Sequence, residues 1–315
     1  MKTILITGGA GFIGSHTADL LIRNNLRVIV FDNLSTGKVT NLDLLHPSME
    51  FIQGDVLDFP ALAKQVARCD AVLHLAALSS VPQSIKDPIN SLRVNTQGFV
   101  HVLQAIQASA KPIRIVYASS AAVYGNQVNL PCNDEVVELS QIALSPYALE
   151  KVNNEAYASL YTRLYNIRAL ALRYFNVYGV RQDPHSPYSG VISKFIKSYR
   201  AKEPIVVFGD GNQSRDFIAV EDVARANFLA LQSSFTGVLN IATGQSQTIN
   251  HLIRCIEEVG NAPAQYHYAA SQLGEIRESF GRIDRAATHL NFQYNTQFAE
   301  GIKQLMVGKD NREKS

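Results

Sequence analysis

Tyr147 and Lys151 stand four residues apart in Tyr147-Ala-Leu-Glu-Lys151. On a helix that step puts both on one face. An ammonium beside a phenol favours the phenolate, as does a positive nicotinamide ring, so with both the tyrosine pKa is expected to fall toward neutrality. Such a phenolate takes a proton from a hydroxyl while hydride leaves the same carbon. With 13 tyrosines in the chain the spacing alone is weak, but this is its single Tyr-x-x-x-Lys. Ser145-Pro146 just before it is a helix-start signal. A third group comes from Ser119-Ser120-Ala121-Ala122-Val123-Tyr124-Gly125, which closes a β-like run. Ser120 placed there bridges a substrate oxygen and the phenol.

A second constellation begins the chain. Gly8-Gly9-Ala10-Gly11-Phe12-Ile13-Gly14 lies between the apolar run Thr3–Thr7 and a helical pattern from Phe12 to Asn24. Glycines at 8, 11 and 14 permit a tight turn, close approach of a pyrophosphate and close helix–strand packing. The helix start adds free N–H groups and a positive dipole end. Asp32 ends the next apolar run, 18 residues beyond Gly14. An acid there accepts hydrogen bonds from adenosine ribose hydroxyls and repels a 2′-phosphate, which selects NAD over NADP. Asp55-Val56 is placed to meet the adenine edge.

These groups need strand ends to hold them. Arg27–Phe31, Glu50–Gln53, Ala71–Leu75, Ile113–Ser119 and Arg168–Arg173 read as strands after Thr3–Thr7. Helical stretches Ala61–Arg68, Asn90–Ser109 and Pro146–Tyr165 fall between them. Alternation of this kind implies parallel strands joined by right-handed crossovers, an α/β doubly wound (Rossmann) sheet with its ligand crevice at the strands' carboxyl ends. After Arg173 the regularity breaks. One amphipathic helix at 188–200, the loop Phe208–Ser214, a helix Glu221–Gln232 and a strand Val238–Ile241 follow. The expected division is an NAD-binding domain of residues 1–175, with 215–241 returning to it, and a smaller substrate-binding lobe of 176–214 and 242–315.

Composition sets the outer limits. Of 315 residues, 46% are hydrophobic and 18% charged, the mark of a folded globular chain. A net charge of +2 gives no electrostatic reason to bind nucleic acid or an acidic membrane. No apolar run nears the roughly 20 residues that span a bilayer, and the start of the chain does not read as a secretory signal. Cys69, Cys132 and Cys255 are too few and scattered for a disulfide framework or a zinc site, so no metal is expected. The setting implied is a reducing cytoplasm.

Taken together, the motifs resemble the extended short-chain dehydrogenase/reductase family, nearest to nucleotide-sugar 4-epimerases of the UDP-glucose and UDP-N-acetylglucosamine type. The resemblance runs from Lys2 to about Phe292. It is carried by Ile6–Gly14, Phe31-Asp-Asn-Leu-Ser-Thr-Gly37, His74-Leu-Ala-Ala77, Val94-Asn95-Thr96, Tyr117–Gly125, Leu172–Gly179, Arg181-Gln-Asp-Pro184 and Ser214-Arg-Asp-Phe217.

The resemblance implies roles position by position. Tyr147 is the general base, Lys151 its electrostatic partner and ribose ligand, and Ser120 the second proton-relay group. NAD contacts are implied at Gly8, Gly11, Phe12, Ile13 and Gly14, at Asp32 and Asn33, at Asp55 and Val56, and at Ala76 and Ala77. A UDP-sugar is implied against Asn176, Val191 and Glu275, with Arg215 on the diphosphate and Phe208 lining the uracil pocket. Asn95 is expected to hold backbone rather than touch substrate. One position departs from the family: Gln272 stands where an Arg is usual, with Arg277 a possible substitute. Ser279 falls where a pocket wall meets the sugar C2 substituent. It is small, as is nearby Ser80, which leaves room for an N-acetyl group.

Ala121 and Ala122 follow Ser120 where related dehydratases and decarboxylases carry acids. What remains is oxidation at C4, rotation of a 4-keto sugar, and return of hydride to its other face. A net oxidoreductase, a decarboxylase, or a non-catalytic NAD-binding protein are the alternatives left open. Asn90–Ser109 and Pro146–Tyr165 carry apolar residues on more than one face (Phe99, Val100, Leu103, Ile106, then Ala156, Leu160, Leu164). One face must cover the sheet, so the surplus suggests a partner, and the resemblance implies a homodimer through a four-helix bundle.

Overall fold

The computed structural model describes residues 2–126, 129–135, 144–183, 190–271 and 276–308. Gln272, Gly274 and Glu275 lie outside the described residues.

The elements in chain order are β1 (Thr3–Thr7), α1 (Phe12–Arg23), β2 (Arg27–Asp32), β3 (Met49–Gln53), α2 (Phe59–Val66), β4 (Ala71–His74), α3 (Val81–Lys86), α4 (Pro88–Leu92), α5 (Gly98–Gln107), β5 (Arg114–Ser120), α6 (Pro146–Tyr165) and β6 (Ala169–Tyr174). Then come β7 (Asn176–Tyr178), α7 (Val191–Ala201), β8 (Ile205–Phe208), β9 (Ser214–Arg215), β10 (Phe217–Ala219), α8 (Val220–Gln232) and β11 (Gly237–Ile241). The chain closes with β12 (Gln247–Thr248), α9 (Ile249–Gly260), β13 (Tyr266–Ala269), β14 (Glu278–Ser279), α10 (Asp284–Leu290) and α11 (Phe298–Val307).

Seven strands form one sheet in the order β3-β2-β1-β4-β5-β6-β11. Every pairing in it is parallel. This is the doubly wound sheet expected from the alternating runs. Both faces are covered, so each strand is apolar along its length, and the period of two deals its residues to two cores. Ile4, Ile6, Val28 and Val30 face one core, shared with Ala18 and Leu21 of α1 and Val223 and Ala226 of α8. Leu5, Ile29 and Phe31 face the other, shared with Leu62 of α2, Phe99 and Leu103 of α5, and Ala158 of α6. Ala286, Leu290 and Phe292 from the C-terminal segment also pack in the first core. A smaller cluster, around Ile192, Phe195, Val207, Phe217, Leu252 and Ile256, gathers α7, β8, β10 and α9.

Strand order reverses between β1 and β4, which opens a crevice beyond the carboxyl ends of the strands. The expected helix Asn90–Ser109 is not continuous. It is α4, then one π-helical turn over Arg93–Gln97, then α5. The wide turn frees Asn95 to hold the Leu78 backbone from both sides: its Nδ2 donates to the carbonyl at 3.0 Å and its Oδ1 accepts from the N–H at 2.7 Å. Among the described residues no helix is long and apolar enough to cross a membrane.

Candidate active site

A cavity of about 1120 Å³ occupies the crevice. Sheet order arranges its walls. At one end stand the carboxyl ends of β3 and β2 (Asp55, Asp32), then the glycine turn after β1, the segment after β4, and finally Ser120 at the end of β5.

The glycine turn forms a cradle. Gly8 has φ +72°, and a Cβ there would lie 2.7 Å from the Ala76 nitrogen. A Cβ on Gly14 would run into the Gly8 carbonyl oxygen. Gly11 caps α1 without a side-chain hydrogen bond, and the first turn has no acidic residue. The first N–H groups of the helix, at Phe12, Ile13 and Gly14 on the cavity wall, have no partner within it and suit an anion.

Asp32 is buried, and its two oxygens accept from the amides of Ala10 (2.9 Å) and Leu34 (2.8 Å). Burial pushes its pKa up, and the two amides pull it down. Asn33 donates to Asp55 at 2.9 Å, while Asp55 also accepts from the Leu57 amide, which fixes the wall beside Val56. A phosphate cradle, an acid on the second strand, and this wall in one crevice fit a dinucleotide with a free 2′-hydroxyl.

At the other end, α6 starts at Ser145, whose side chain accepts from the Ala148 amide, with Pro146 in the first turn. Tyr147, Lys151 and Ser120 all line the cavity. Tyr147 and Lys151 are buried. Burial raises the Tyr147 phenol to about 12, Ser120 lowers it through a hydrogen bond, and Glu150 raises it further. Burial brings Lys151 down to about 8 against Glu150 and Glu155, which raise it. The expected fall of the tyrosine pKa toward neutrality is therefore not a property of these side chains alone. Lys151 Nζ donates to the Ala118 carbonyl at 2.8 Å and lies 5.6 Å from the Tyr147 ring centre. Desolvation outweighs the help that Ser120 gives the phenolate.

The remaining wall comes from the smaller lobe. Asn176, Val191, Arg215 and Ser279 line the cavity. Arg215 and Ser279 are register partners on β9 and β14. Asp216 fixes both: fully buried, it accepts from the Thr243 amide and hydroxyl, the Gly244 amide and the Gly281 amide.

Three expected contacts fall elsewhere. Ser80 is outside the lining and caps α3, accepting from the Gln83 amide at 3.1 Å. It reaches the site only through that helix, where Ser84 accepts from the Tyr147 amide at 3.2 Å. Phe208 ends β8 on the surface and is also outside the lining, because β8 turns its 206 and 208 side chains outward. Arg277 is exposed, 3.4 Å from Asp210, and does not line the cavity. Glu275 is among the residues not described.

Lys38, Arg181 and Asp183 line the cavity although sequence reasoning gave them no role. Lys38 pairs with Asp183 at 2.8 Å and Arg181 with Asp19 at 2.6 Å, closing the Val180–Asp183 segment over the cofactor side. The partners are more than 140 residues apart, and no local pattern announces them.

Among the described residues no group of His, Cys, Asp and Glu is placed to hold a metal. The three cysteines are free and buried. Burial raises the Cys69 thiol to about 12 and Cys132 to about 11, far from reactive.

Comparison with known proteins agrees with this geometry. The profile of the NAD dependent epimerase/dehydratase family matches residues 4–242. A Methanocaldococcus jannaschii protein provisionally named a UDP-glucose 4-epimerase is 39% identical over 305 residues, covering 96% of this chain and 97% of its own. A UDP-N-acetylglucosamine 4-epimerase from Methanobrevibacter ruminantium, solved with UDP-N-acetylmuramic acid, superposes with a TM-score of 0.92 at 37% identity over 97% of each chain. The UDP-glucose 4-epimerase of Thermus thermophilus, solved with NAD, gives a TM-score of 0.86 at 31% identity, over 98% of this chain and 100% of its own. With the cradle and the acid of β2 matched to NAD, the chain belongs to the NAD-dependent epimerase/dehydratase family, as an extended short-chain dehydrogenase/reductase of the nucleotide-sugar 4-epimerase type.

Proposed function

We propose that the protein interconverts the C4 epimers of UDP-N-acetylglucosamine and UDP-N-acetylgalactosamine, and accepts UDP-glucose and UDP-galactose. The observation that carries this is the meeting of Ser120, Tyr147 and Lys151 at one end of a cavity whose other end is a dinucleotide cradle. Ser120 and Tyr147 hold the sugar C4 hydroxyl, and Tyr147 takes its proton. Bound NAD supplies the hydride acceptor and a positive charge that favours the phenolate. The 4-keto sugar turns within the cavity; hydride would then return to C4 on its other face while Tyr147 gives the proton back to the C4 oxygen. Lys151 orients the cofactor ribose. Arg215 clasps the diphosphate with its guanidinium fork, beside Asn176.

The side chains of Ala121 and Ala122 provide no acid to expel a hydroxyl, which favours epimerisation over dehydration. Ser279 faces the cavity with a small side chain, which supports the N-acetyl reading. We take residues 1–175 with 215–241 as the cofactor half and 176–214 with 242–315 as the substrate lobe, α10 packing back on the sheet.

The partner surface we infer is the exposed apolar face formed by Ile85, Ile89 and Leu92 of α3 and α4 with Leu149, Leu160 and Leu164 of α6. Phe99, Leu103 and Ile106 lie in the core and form the face that covers the sheet. A second copy covering this face makes a homodimer. Buried free thiols accord with a cytoplasmic enzyme.

Incubation with a panel of UDP-sugars and separation of products tests the reading. Epimer pairs should interconvert without added reductant. Stoichiometric consumption of added NAD would instead mark a net oxidoreductase, and release of carbon dioxide a decarboxylase.

A further inference from the structure

Two serines end β5, and only one of them can face the phenol. A slip of one residue along the strand would put Ser119 where Ser120 stands. In the sheet, Ser119 is the register partner of Arg173 and Ser120 that of Tyr174. Ser119 Oγ donates to Glu155 Oε1 at 2.5 Å. Arg173 grips the same carboxylate with two donors, Nε at 2.9 Å and Nη2 at 2.6 Å. Its third donor goes to the Tyr124 hydroxyl at 2.9 Å, and Tyr124 donates to Asn240 Oδ1 at 2.6 Å.

The same helix face thus grips the strand end three times, one turn apart. Tyr147 meets Ser120, Lys151 holds the Ala118 carbonyl, and Glu155 holds Ser119. The Arg173 and Glu155 side chains are only 3% and 12% exposed. Apolar residues of like volume often stabilise a core as well as such a pair does, so stability alone gives little reason for it.

We propose that the Glu155–Arg173 pair is a positioning device for catalysis: by capturing Ser119 it fixes the register of β5 against α6 and presents Ser120 to Tyr147. The inference rests on the epimerase reading above.

The test uses the full chain with its cofactor. Ser119→Ala removes the captured hydroxyl and leaves the ion pair intact. It should lower kcat by roughly tenfold to a hundredfold, the cost of a small misplacement of a catalytic group. KM and NAD content should stay unchanged, and Ser119→Thr should recover most of the rate. Glu155→Leu with Arg173→Met should keep the thermal midpoint and show the same loss confined to kcat. Ser119→Ala with wild-type kcat overturns the proposal, even if the double variant fails to fold. A loss expressed in KM, or one that Ser119→Thr does not repair, overturns it too. If the wild type turns over no UDP-sugar, the epimerase reading fails. A crystal structure of Ser119→Ala then decides the positioning claim: Ser120 still at Tyr147 refutes it, and Ser120 displaced supports it.

Discussion

Lys151 and Tyr147 share one face of α6, yet the ammonium spends its short hydrogen bond on the Ala118 carbonyl, 2.8 Å away, rather than on the phenol. Lys151 therefore locks helix to strand as well as lending charge. Burial holds its pKa down to about 8.

That shift has a sign that can be measured. An unfolded lysine keeps its proton to about pH 10.4, while the folded one releases it near 8. Between these values the unfolded state binds more protons, so stability rises with pH. In cofactor-stripped protein, wild type should gain about 3 kcal/mol relative to Lys151→Met from pH 8 to 10.5. Denaturant melts across that range check it, and a gap independent of pH would contradict it.

Tyr147→Phe removes the proton acceptor and leaves the ring's packing and the glycine cradle unchanged. Activity should fall by roughly 10²–10⁴, the usual worth of a positioned acid–base group. Bound NAD, read by absorbance after denaturation, should stay at the wild-type level. Substantial turnover by this variant would remove Tyr147 from the mechanism.

Asp216 touches nothing in the cavity, yet it decides where Arg215 stands. All of its hydrogen-bond partners are donors, so Asp216→Asn sets an NH₂ against N–H groups. The expected cost is about 2–3 kcal/mol of stability, from the buried donors left unmatched. KM for the UDP-sugar should rise more than kcat falls, because Arg215 is displaced while Tyr147 is not. Steady-state kinetics and a thermal melt report both effects.

Leu160 and Ile89 lie on the exposed face of α6 and α4. A glutamate at either position should dissociate the proposed dimer and leave the monomer folded, since neither side chain supports the core. Light scattering at micromolar concentration gives the mass. A wild type that is already monomeric would refute the assembly.

Groups fixed by local spacing were legible in the sequence. The glycines at 8, 11 and 14, Asp32, Ser120 and the Tyr147–Lys151 step each depend on a single turn, strand end or helix face. Groups fixed by tertiary contact were not. Asp216 gains its role from residues 243, 244 and 281. Lys38 and Arg181 gain theirs from partners across the cleft. Ser80 caps α3, and a serine before Val81-Pro82 suits a helix start as well as a sugar contact. Phe208 misled for a different reason: β8 alternates, and only Ile205 and Val207 turn inward. The helix α9 did carry a readable stripe of Leu252, Ile253 and Ile256. The two-residue strands around it left no pattern at all.

Ser279 carries the claim about substrate breadth. It sits on β14 beside Arg215 and lines the cavity, and its backbone carbonyl accepts from the Asp216 amide at 2.8 Å. The strand is thus pinned at this point, and a larger side chain must take its extra volume from the cavity. Steric exclusion selects strongly, whereas an enlarged pocket only permits. Ser279→Tyr should therefore lower turnover of UDP-N-acetylglucosamine by roughly a hundredfold or more, the penalty of overpacking a pinned wall by a few kcal/mol. UDP-glucose, which lacks the C2 acetamide, should keep its rate to within about threefold, less than 1 kcal/mol. The ratio of kcat/KM for the two sugars measures the effect directly. A variant that slows both sugars equally would mean that position 279 shapes the lobe as a whole. One that slows neither would mean that the acetamide lies elsewhere in the cavity, and the wide-pocket reading would fall with it.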